Sequence, residues 1–280
     1  MRPPPRQIFQ VLRRLGSAIM ARAPRSGRPL AVSLTMIVRD EEKSLPRCLA
    51  SVRGLFDEII IVDTGSTDRT KDIARWFGAK VFDFEWIDDF AAARNAALDH
   101  ATGDYAFWLD ADDVISHADR KKLEDLLHNP PHPGAAYVFS LVLDHPNGLT
   151  KPPGGQIRLF PRIPEVRWEF RVHEIISRSV IRAGIPIRST GIKIRHKGYA
   201  DAVHVAAAQA RDERIIPLMV ADHPNDPYVL FRDGNMRKDP DSILEAIHRW
   251  TPEMGVSLSH MESTYMQARQ HRLRSDTNSV

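Results

Sequence analysis

From Val32 onward, short apolar runs alternate with stretches in which apolar residues return every three or four positions. The runs predict buried strands and the spaced stretches predict amphipathic helices. Val32 to Val38 reads as a strand ending in Arg39-Asp40-Glu41-Glu42, and Ser44 as the cap of a helix carrying Leu45, Leu49 and Val52. Glu58 to Val62 is the second strand, ending at Asp63-Thr64-Gly65-Ser66-Thr67-Asp68. Ser66 is the expected cap of the next helix and Gly78 its close. Lys80 to Phe82 is a short third strand and Asp83 to Phe90 a loop. Asp88 or Asp89 can cap a helix through Arg94, Asn95 and Leu98 to Ala101. After the turn Thr102-Gly103-Asp104 comes a fourth strand, the run Ala106 to Leu109 that breaks off in Asp110-Ala111-Asp112-Asp113. This alternation with short links predicts a parallel sheet with right-handed crossovers, its working loops at the carboxyl ends of the strands. Asp40, Asp63 and Asp110 all fall there.

Beyond Asp113 the regular alternation stops. Arg120 to Leu127 reads as a helix, and Ala136 to Leu143, Gln156 to Phe160 and Ile187 to Arg195 as strands. Asn147 to Gly155, rich in Pro and Gly, reads as a mobile loop, and residues 203–220 as a helix kinked near Pro217. From Asp222 on, Pro, Asp and Gly interrupt the pattern, and the last ~25 residues read as poorly ordered. The expected organisation is a basic, flexible arm over 1–30, an α/β domain over 31–200, and a helical extension with a poorly ordered tail over 201–280.

Composition changes this picture at the amino-terminal end. Residues 1–30 hold seven arginines and no acid; without them the 39 basic residues fall to 32 against 36 acids. The remainder carries about −4, which excludes nucleic-acid binding by charge. Ile8, Phe9, Val11, Leu12, Leu15, Ile19 and Met20 between the arginines could form a short amphipathic helix on an anionic membrane surface, or the segment is simply a disordered basic arm. Cys48 is the only cysteine, so no intrachain disulfide forms, and no apolar run is long enough to span a bilayer. A cytoplasmic location, with peripheral attachment to the inner face of the membrane through the arm, fits these features.

The candidate chemistry sits in Asp110-Ala111-Asp112-Asp113. Carboxylates ending a buried strand cannot stay unpaired and must face water, a cation or a polar ligand. On an extended chain Asp110 and Asp112 point to one side, and two hard oxygen donors suit Mg²⁺ or Mn²⁺, ions that favour phosphate substrates. The plainer reading is an acidic turn in which Asp113 or Ser116 caps the following helix.

Four segments in order, Val-Arg-Asp-Glu-Glu, Val-Asp-Thr-Gly-Ser-Thr-Asp, Ala-Arg-Asn-Ala-Ala and Leu-Asp-Ala-Asp-Asp, closely resemble the family 2 glycosyltransferases of the GT-A fold. The resemblance covers about Val32 to Tyr199 and is strongest over Leu34 to Val114. Phe84-Glu85-Trp86 through Arg94-Asn95 and Arg171-Val172-His173-Glu174 look most like bacterial members with tetratricopeptide-type repeats behind the catalytic domain. The resemblance implies a Rossmann-like, mostly parallel nucleotide-binding half, a mixed acceptor half and a helical extension. It implies inverting, metal-assisted transfer of a sugar from a nucleotide sugar, commonly a UDP-sugar, to an acceptor it does not specify (glycan, lipid or peptide). Asp63 would read the nucleobase, Glu42 the nucleoside, and Asp40 stands with them at the donor site. Arg94 would pair with the diphosphate, or else form a helix-surface salt bridge. Asp112 is the foremost metal ligand, with Asp110 on the ribose or the metal and His196 as a later ligand or a merely structural histidine. Glu174 matches the general base, with His173 a competitor. Arg158 and Arg171 could hold phosphate or simply solvate the surface. Thr64 departs from the pattern, standing where many relatives have Asp.

Three other readings compete. A phosphatase with an Asp-x-Asp nucleophile carries that motif after its first strand, whereas three strand-like segments precede it here. A nucleotide-sugar-binding or scaffold protein of the same fold would lack turnover; Asp110, Asp112 and Glu174 argue against it. A nicotinamide dehydrogenase would carry G-x-G-x-x-G where this chain has Arg39-Asp40-Glu41-Glu42.

Overall fold

The computed structural model describes residues 31–143, 154–196, 202–251 and 258–277. The arm over 1–30, with its expected membrane contact, and most of the loop over 147–155 lie outside them. Strands β1 (Val32–Val38), β2 (Glu58–Asp63), β3 (Lys80–Asp83) and β4 (Tyr105–Trp108) run parallel, as their apolar runs predict. Helices α1 (Leu45–Ser51), α2 (Thr70–Trp76) and α3 (Phe90–His100) cross between them. Strands β5 (Asp113–Ile115), β6 (Ala136–Leu143), β7 (Gly154–Pro161) and β8 (Ile187–His196) complete one sheet in the order β3-β2-β1-β4-β7-β6-β8-β5. β7 lies antiparallel to both β4 and β6, so the second half of the sheet is mixed. The fold is α/β with a parallel half joined to a mixed half, as expected.

β1 and β4 are buried along their length, with Leu34 set beside Phe107. Fully burying such a side chain stabilises by roughly 1.5–3 kcal/mol, so this centre fixes the position of both strand ends. Several local expectations change. Ser44 sits at the amino end of α1 but its side chain caps nothing, because the preceding turn already satisfies the amides (Leu45 N–H donates to Glu41 O, 3.0 Å). Ser66 does not cap α2 either. Its amide binds Asp63 and its hydroxyl accepts from the Asp40 amide (2.9 Å), so the loop runs on and the helix begins at Thr70. Asp89 and Ser116 do cap, accepting from Ala92 N–H and Asp119 N–H. Ser116 opens α4 (His117–His128). Gly154 and Gly155, read as loop, belong to β7.

The larger correction is after Asp222. Helix α5 (Ser177–Arg182) precedes β8, and α6 (Ala202–Asp222) runs through Pro217. α7 (Pro227–Arg237), α8 (Pro240–His248) and α9 (Leu258–Thr277) follow where the sequence reads as broken. The two Asp-Pro pairs start helices rather than ending them. Asp226 and Asp239 accept from the amides of Tyr228 and Asp241, and Pro227 and Pro240 take the first helical position, where no N–H is needed. The core of this extension includes Tyr228, Phe231 and Met219, and also Phe170 and Val172 from the α/β domain. Among the described residues no helix is long and apolar enough to cross a membrane.

Candidate active site

β4 ends at Trp108, and the chain then turns rather than staying extended. Asp113 N–H donates to Asp110 O (3.1 Å), and Asp110 N–H donates to Asp113 Oδ2 (2.9 Å). The turn, not strand alternation, is what brings Asp110 and Asp112 together. Asp113 then opens β5, whose antiparallel register sets it opposite His196 of β8. His196 Nδ1 lies 3.0 Å from Asp113 Oδ1 and 3.3 Å from Asp112 Oδ1. One ligand atom from each of Asp110, Asp112, Asp113 and His196 falls within 4.8 Å of the others.

Asp113 is fully buried and committed: its Oδ2 also accepts from Arg158 Nη1 at 2.7 Å. Arg158, read as a phosphate holder or a surface residue, is neither. It is 1 % exposed and stacks 3.5 Å from the Trp108 ring centroid. Asp113 and Arg158 thus brace the turn, and Asp110, Asp112 and His196 each offer a ligand atom beside it. Burial, with Asp110 and Asp113 adding to it against the pull of His196, pushes Asp112 up to about 6. Burial pulls His196 down, but its bond to Asp113 and the charges of Asp112 and Asp110 outweigh this and raise it to about 9. Both shifts report a surplus of negative charge in a confined space. A hard divalent cation fits that donor set of carboxylate oxygens and one imidazole.

Arg94 projects from α3 into the same place and is buried. Its Nε donates to Glu174 Oε1 (2.6 Å) and its Nη2 to Asp110 Oδ1 (2.9 Å). The guanidinium carbon lies 4.4 Å and 4.9 Å from the ring centroids of Trp108 and Trp168. Burial disfavours its charge, yet Glu174 and Asp110 more than compensate and hold its pKa above the ordinary value. In turn Asp110, pushed up by burial, is brought down to about 2 by Arg94, Arg158 and His196. The surface-salt-bridge reading of Arg94 is therefore replaced by a buried bridge between two carboxylates.

Glu174 ends a tight loop in which Phe170 and His173 adopt positive φ (75° and 54°). Such conformations persist where the surroundings impose them. Here Glu169 and Ile175 exchange backbone bonds (3.0 Å each), and Phe90 N–H donates to Arg171 O (2.7 Å). His173 Nε2 meets Asp212 Oδ2 at 2.9 Å, the Tyr228 hydroxyl donates to His173 O, and Arg171 pairs with Asp222. Asp212, Asp222 and Tyr228 belong to α6 and α7, so the helical extension fastens the Glu174 loop. Arg171 accordingly serves an ion pair with the extension. The sequence carries no motif for Asp212 or Tyr228; only the Asp-Pro helix start one residue before Tyr228 was available as a signal.

The remaining expected residues lie at the end of β2 (Asp63) and in the loop after β1 (Asp40 and Glu42). Asp40 (φ 53°) accepts from Thr67 N–H (2.7 Å) and Glu42 Oε2 from Arg69 N–H (3.3 Å), so both tie the two loops together. Asp63 is fully buried; its Oδ1 accepts from Gly65 and Ser66 amides, while its buried Oδ2 has no partner among the described residues. A cleft of about 340 Å³ is lined by Val38, Thr64, Arg94, Asp110, Asp112, Glu174 and His196, among others. A second, of about 410 Å³, is lined by Trp168, Gln156, Ser177 and Arg232. Arg94, Asp110, His173 and Glu174 border both. Asp40, Glu42 and Asp63 are not on the walls of the first cleft but adjoin Thr64 and Glu41, which are.

A parallel half joined to a mixed half, with an acidic turn at the end of β4, is the arrangement of a GT-A protein. The model of glycosyl transferase family 2 matches residues 33–203, and the chain belongs to that family. It is 37% identical over 227 residues to a TPR repeat-containing protein of Synechococcus elongatus, covering 78% of this chain and 55% of that one. It is 27% identical over 220 residues to the SPbeta prophage-derived glycosyltransferase SunS of Bacillus subtilis, covering 77% and 51%. The chain thus spans about half the length of these curated relatives. Among solved structures it is similar to the mannosyltransferase PcManGT from Pyrobaculum calidifontis in complex with GDP-Man and Mn²⁺, with a TM-score of 0.50, 14% identity, and 95% and 93% of the two chains covered.

Proposed function

We propose that this protein transfers a sugar from a nucleoside-diphosphate sugar, a UDP-sugar by the family resemblance, to an acceptor hydroxyl, with inversion at the anomeric carbon. The observation that carries this reading is Arg94, bound at once to Asp110 and Glu174 in the wall between the two clefts. One guanidinium thereby sets the distance between a carboxylate of the donor side and the candidate base.

The first cleft takes the donor. Asp63 Oδ2, buried and without a donor among the described residues, can accept from a ring N–H of the base. Asp40 and Glu42 shape the same loops. Asp110, Asp112 and His196 would hold a Mg²⁺ or Mn²⁺ ion, which when bound neutralises charge on the diphosphate leaving group. The solved relative with GDP-Man and Mn²⁺ supports this class of donor and cofactor.

The acceptor approaches from the second cleft. Arg94 occupies Glu174 Oε1 and the described residues place no donor on Oε2, leaving that oxygen to take the acceptor proton. As the proton moves to Glu174, the acceptor oxygen pair forms the new bond to the anomeric carbon. The old bond to the β-phosphate oxygen breaks, and its electron pair leaves with the diphosphate. His173, bound to Asp212, orients the loop.

The test is thermal denaturation with a set of UDP-sugars and GDP-mannose, with and without Mn²⁺. A bound ligand raises apparent stability. We expect a metal-dependent rise with a UDP-sugar. No rise with any nucleotide sugar overturns the reading, and a rise with GDP-mannose alone overturns the choice of base.

A further inference from the structure

The second cleft holds a cation that the proposed transfer chemistry does not use. Arg232 of α7 lines it together with Glu174. Other arginines of α5, α6 and α7 are paired: Arg178 with Asp226, Arg211 with Asp212, Arg214 with Asp88, and Arg237 with Asp233. Among the described residues Arg232 has no carboxylate partner, and its Nε is buried without an acceptor. Its guanidinium carbon lies 4.9 Å from the Tyr228 ring centroid and 5.6 Å from that of Phe231. Two aromatic rings hold the fork in place, so little freedom is left to lose when an anion binds. A buried donor without an acceptor costs free energy, and an oxyanion would remove that cost.

Resting on the transferase reading, we propose that the second cleft seats an acceptor bearing an oxyanion, a phosphate or carboxylate group, and that Arg232 binds that group. Both carboxylates on the cleft already have a partner, since Arg94 pairs with Glu174 and with Asp110 and leaves Arg232 to the ligand. Gln156 and Ser177 on the same wall add neutral donors. Tyr228, against which Arg232 rests, also holds the His173 carbonyl next to Glu174. Anion binding at Arg232 therefore places the acceptor against an element that positions the base. A neutral analogue of the same acceptor loses this anchor.

Inorganic phosphate and glycerol phosphate are the probes, titrated calorimetrically into the full chain with Mg²⁺, both with and without saturating UDP. Hydrogen bonds to charged groups make a loss of about 10-fold to 100-fold in phosphate affinity the expectation for Arg232→Gln. Arg232→Lys, which keeps the charge but not the fork, should fall between. UDP affinity, unchanged in both variants, shows that the fold is intact. Glycerol should bind neither form measurably. Phosphate binding that is absent in the wild type, or equal in Arg232→Gln, overturns the proposal. If Arg232 instead serves only to keep Glu174 ionised, its loss shifts the pH profile of donor turnover and leaves phosphate affinity alone, which also overturns it. Loss of phosphate binding in Arg232→Gln by a protein that never binds UDP would sink the transferase reading and keep the anion site.

Discussion

Arg94 Nε stands 2.6 Å from Glu174 Oε1, and this contact joins an α3 residue of the parallel half to a loop fastened by the helical extension. Because the same guanidinium reaches Asp110, one buried cation is shared between two acids. Removing one member of a buried ion pair leaves an uncompensated charge, at a cost of about 3–5 kcal/mol. Arg94→Ala should therefore lower stability in urea denaturation by that order and abolish transfer. Arg94→Lys keeps the charge but cannot bridge both acids, so it should recover stability better than activity. Equal activity in Arg94→Lys and the wild type would show that the bridge is not needed.

Asp112 crowds against two carboxylates and is not braced by an arginine, unlike Asp113 and Asp110. Asp112→Asn should remove the dependence of UDP affinity on Mn²⁺, while the metal-free protein melts no lower than the wild type. Calorimetric titration of Mn²⁺ and UDP, with a melting curve alongside, checks both halves. Unchanged metal-dependent affinity would remove Asp112 from the ligand set.

These residues were not equally legible. The parallel half follows from apolar runs, and the order of its acidic strand ends marks the family, because buried strands leave few sequences to choose from. The site depends as much on residues without such a signature. Arg158 reads as a phosphate holder or a surface residue because arginines are rarely fully buried; its burial follows from Asp113, which is known only once β5 pairs with β8. Asp226-Pro227 and Asp239-Pro240 read as breaks because Pro ends a helix from within, yet the same pair starts one. The contacts of Tyr228 and Asp212 with the Glu174 loop join residues far apart in the chain, which local periodicity does not report.

Glu174 and His173 can be separated by substitution. A general base typically contributes about 10²–10⁴-fold, so Glu174→Gln should slow single-turnover transfer by that factor while leaving UDP-sugar affinity nearly intact. His173→Gln loosens the contact with Asp212 and should cost less. A near-full rate in Glu174→Gln with loss in His173→Gln would make the histidine the base. Equal loss of donor binding in both would move the pair to the donor site.

Glu58 gives a pH-dependent test of the scaffold away from the site. Burial pushes its carboxyl up, but bonds from Lys80, Ser33 and Thr102 outweigh this and bring it down to about 2 from an ordinary 4.5. The Ser33 hydroxyl (2.6 Å) and the Thr102 hydroxyl (2.9 Å) both donate to Oε1, and Lys80 Nζ to Oε2 (2.8 Å), tying β1, β2, β3 and the turn before β4. A carboxyl with a depressed folded pKa contributes stability that is present above its unfolded pKa and lost as pH falls through the folded one. The contribution should hold at pH 6 and disappear between about pH 4.5 and pH 2. Glu58→Gln keeps the size and removes the charge, so it should be less stable than the wild type at pH 6. The gap between the two should narrow steadily as the solution is acidified through that window. Denaturant midpoints for both proteins at stepped pH values make the comparison. A gap that stays constant down to pH 2.5 would mean that the charge of Glu58 adds nothing, and that its hydrogen bonds hold the strands equally well in neutral form.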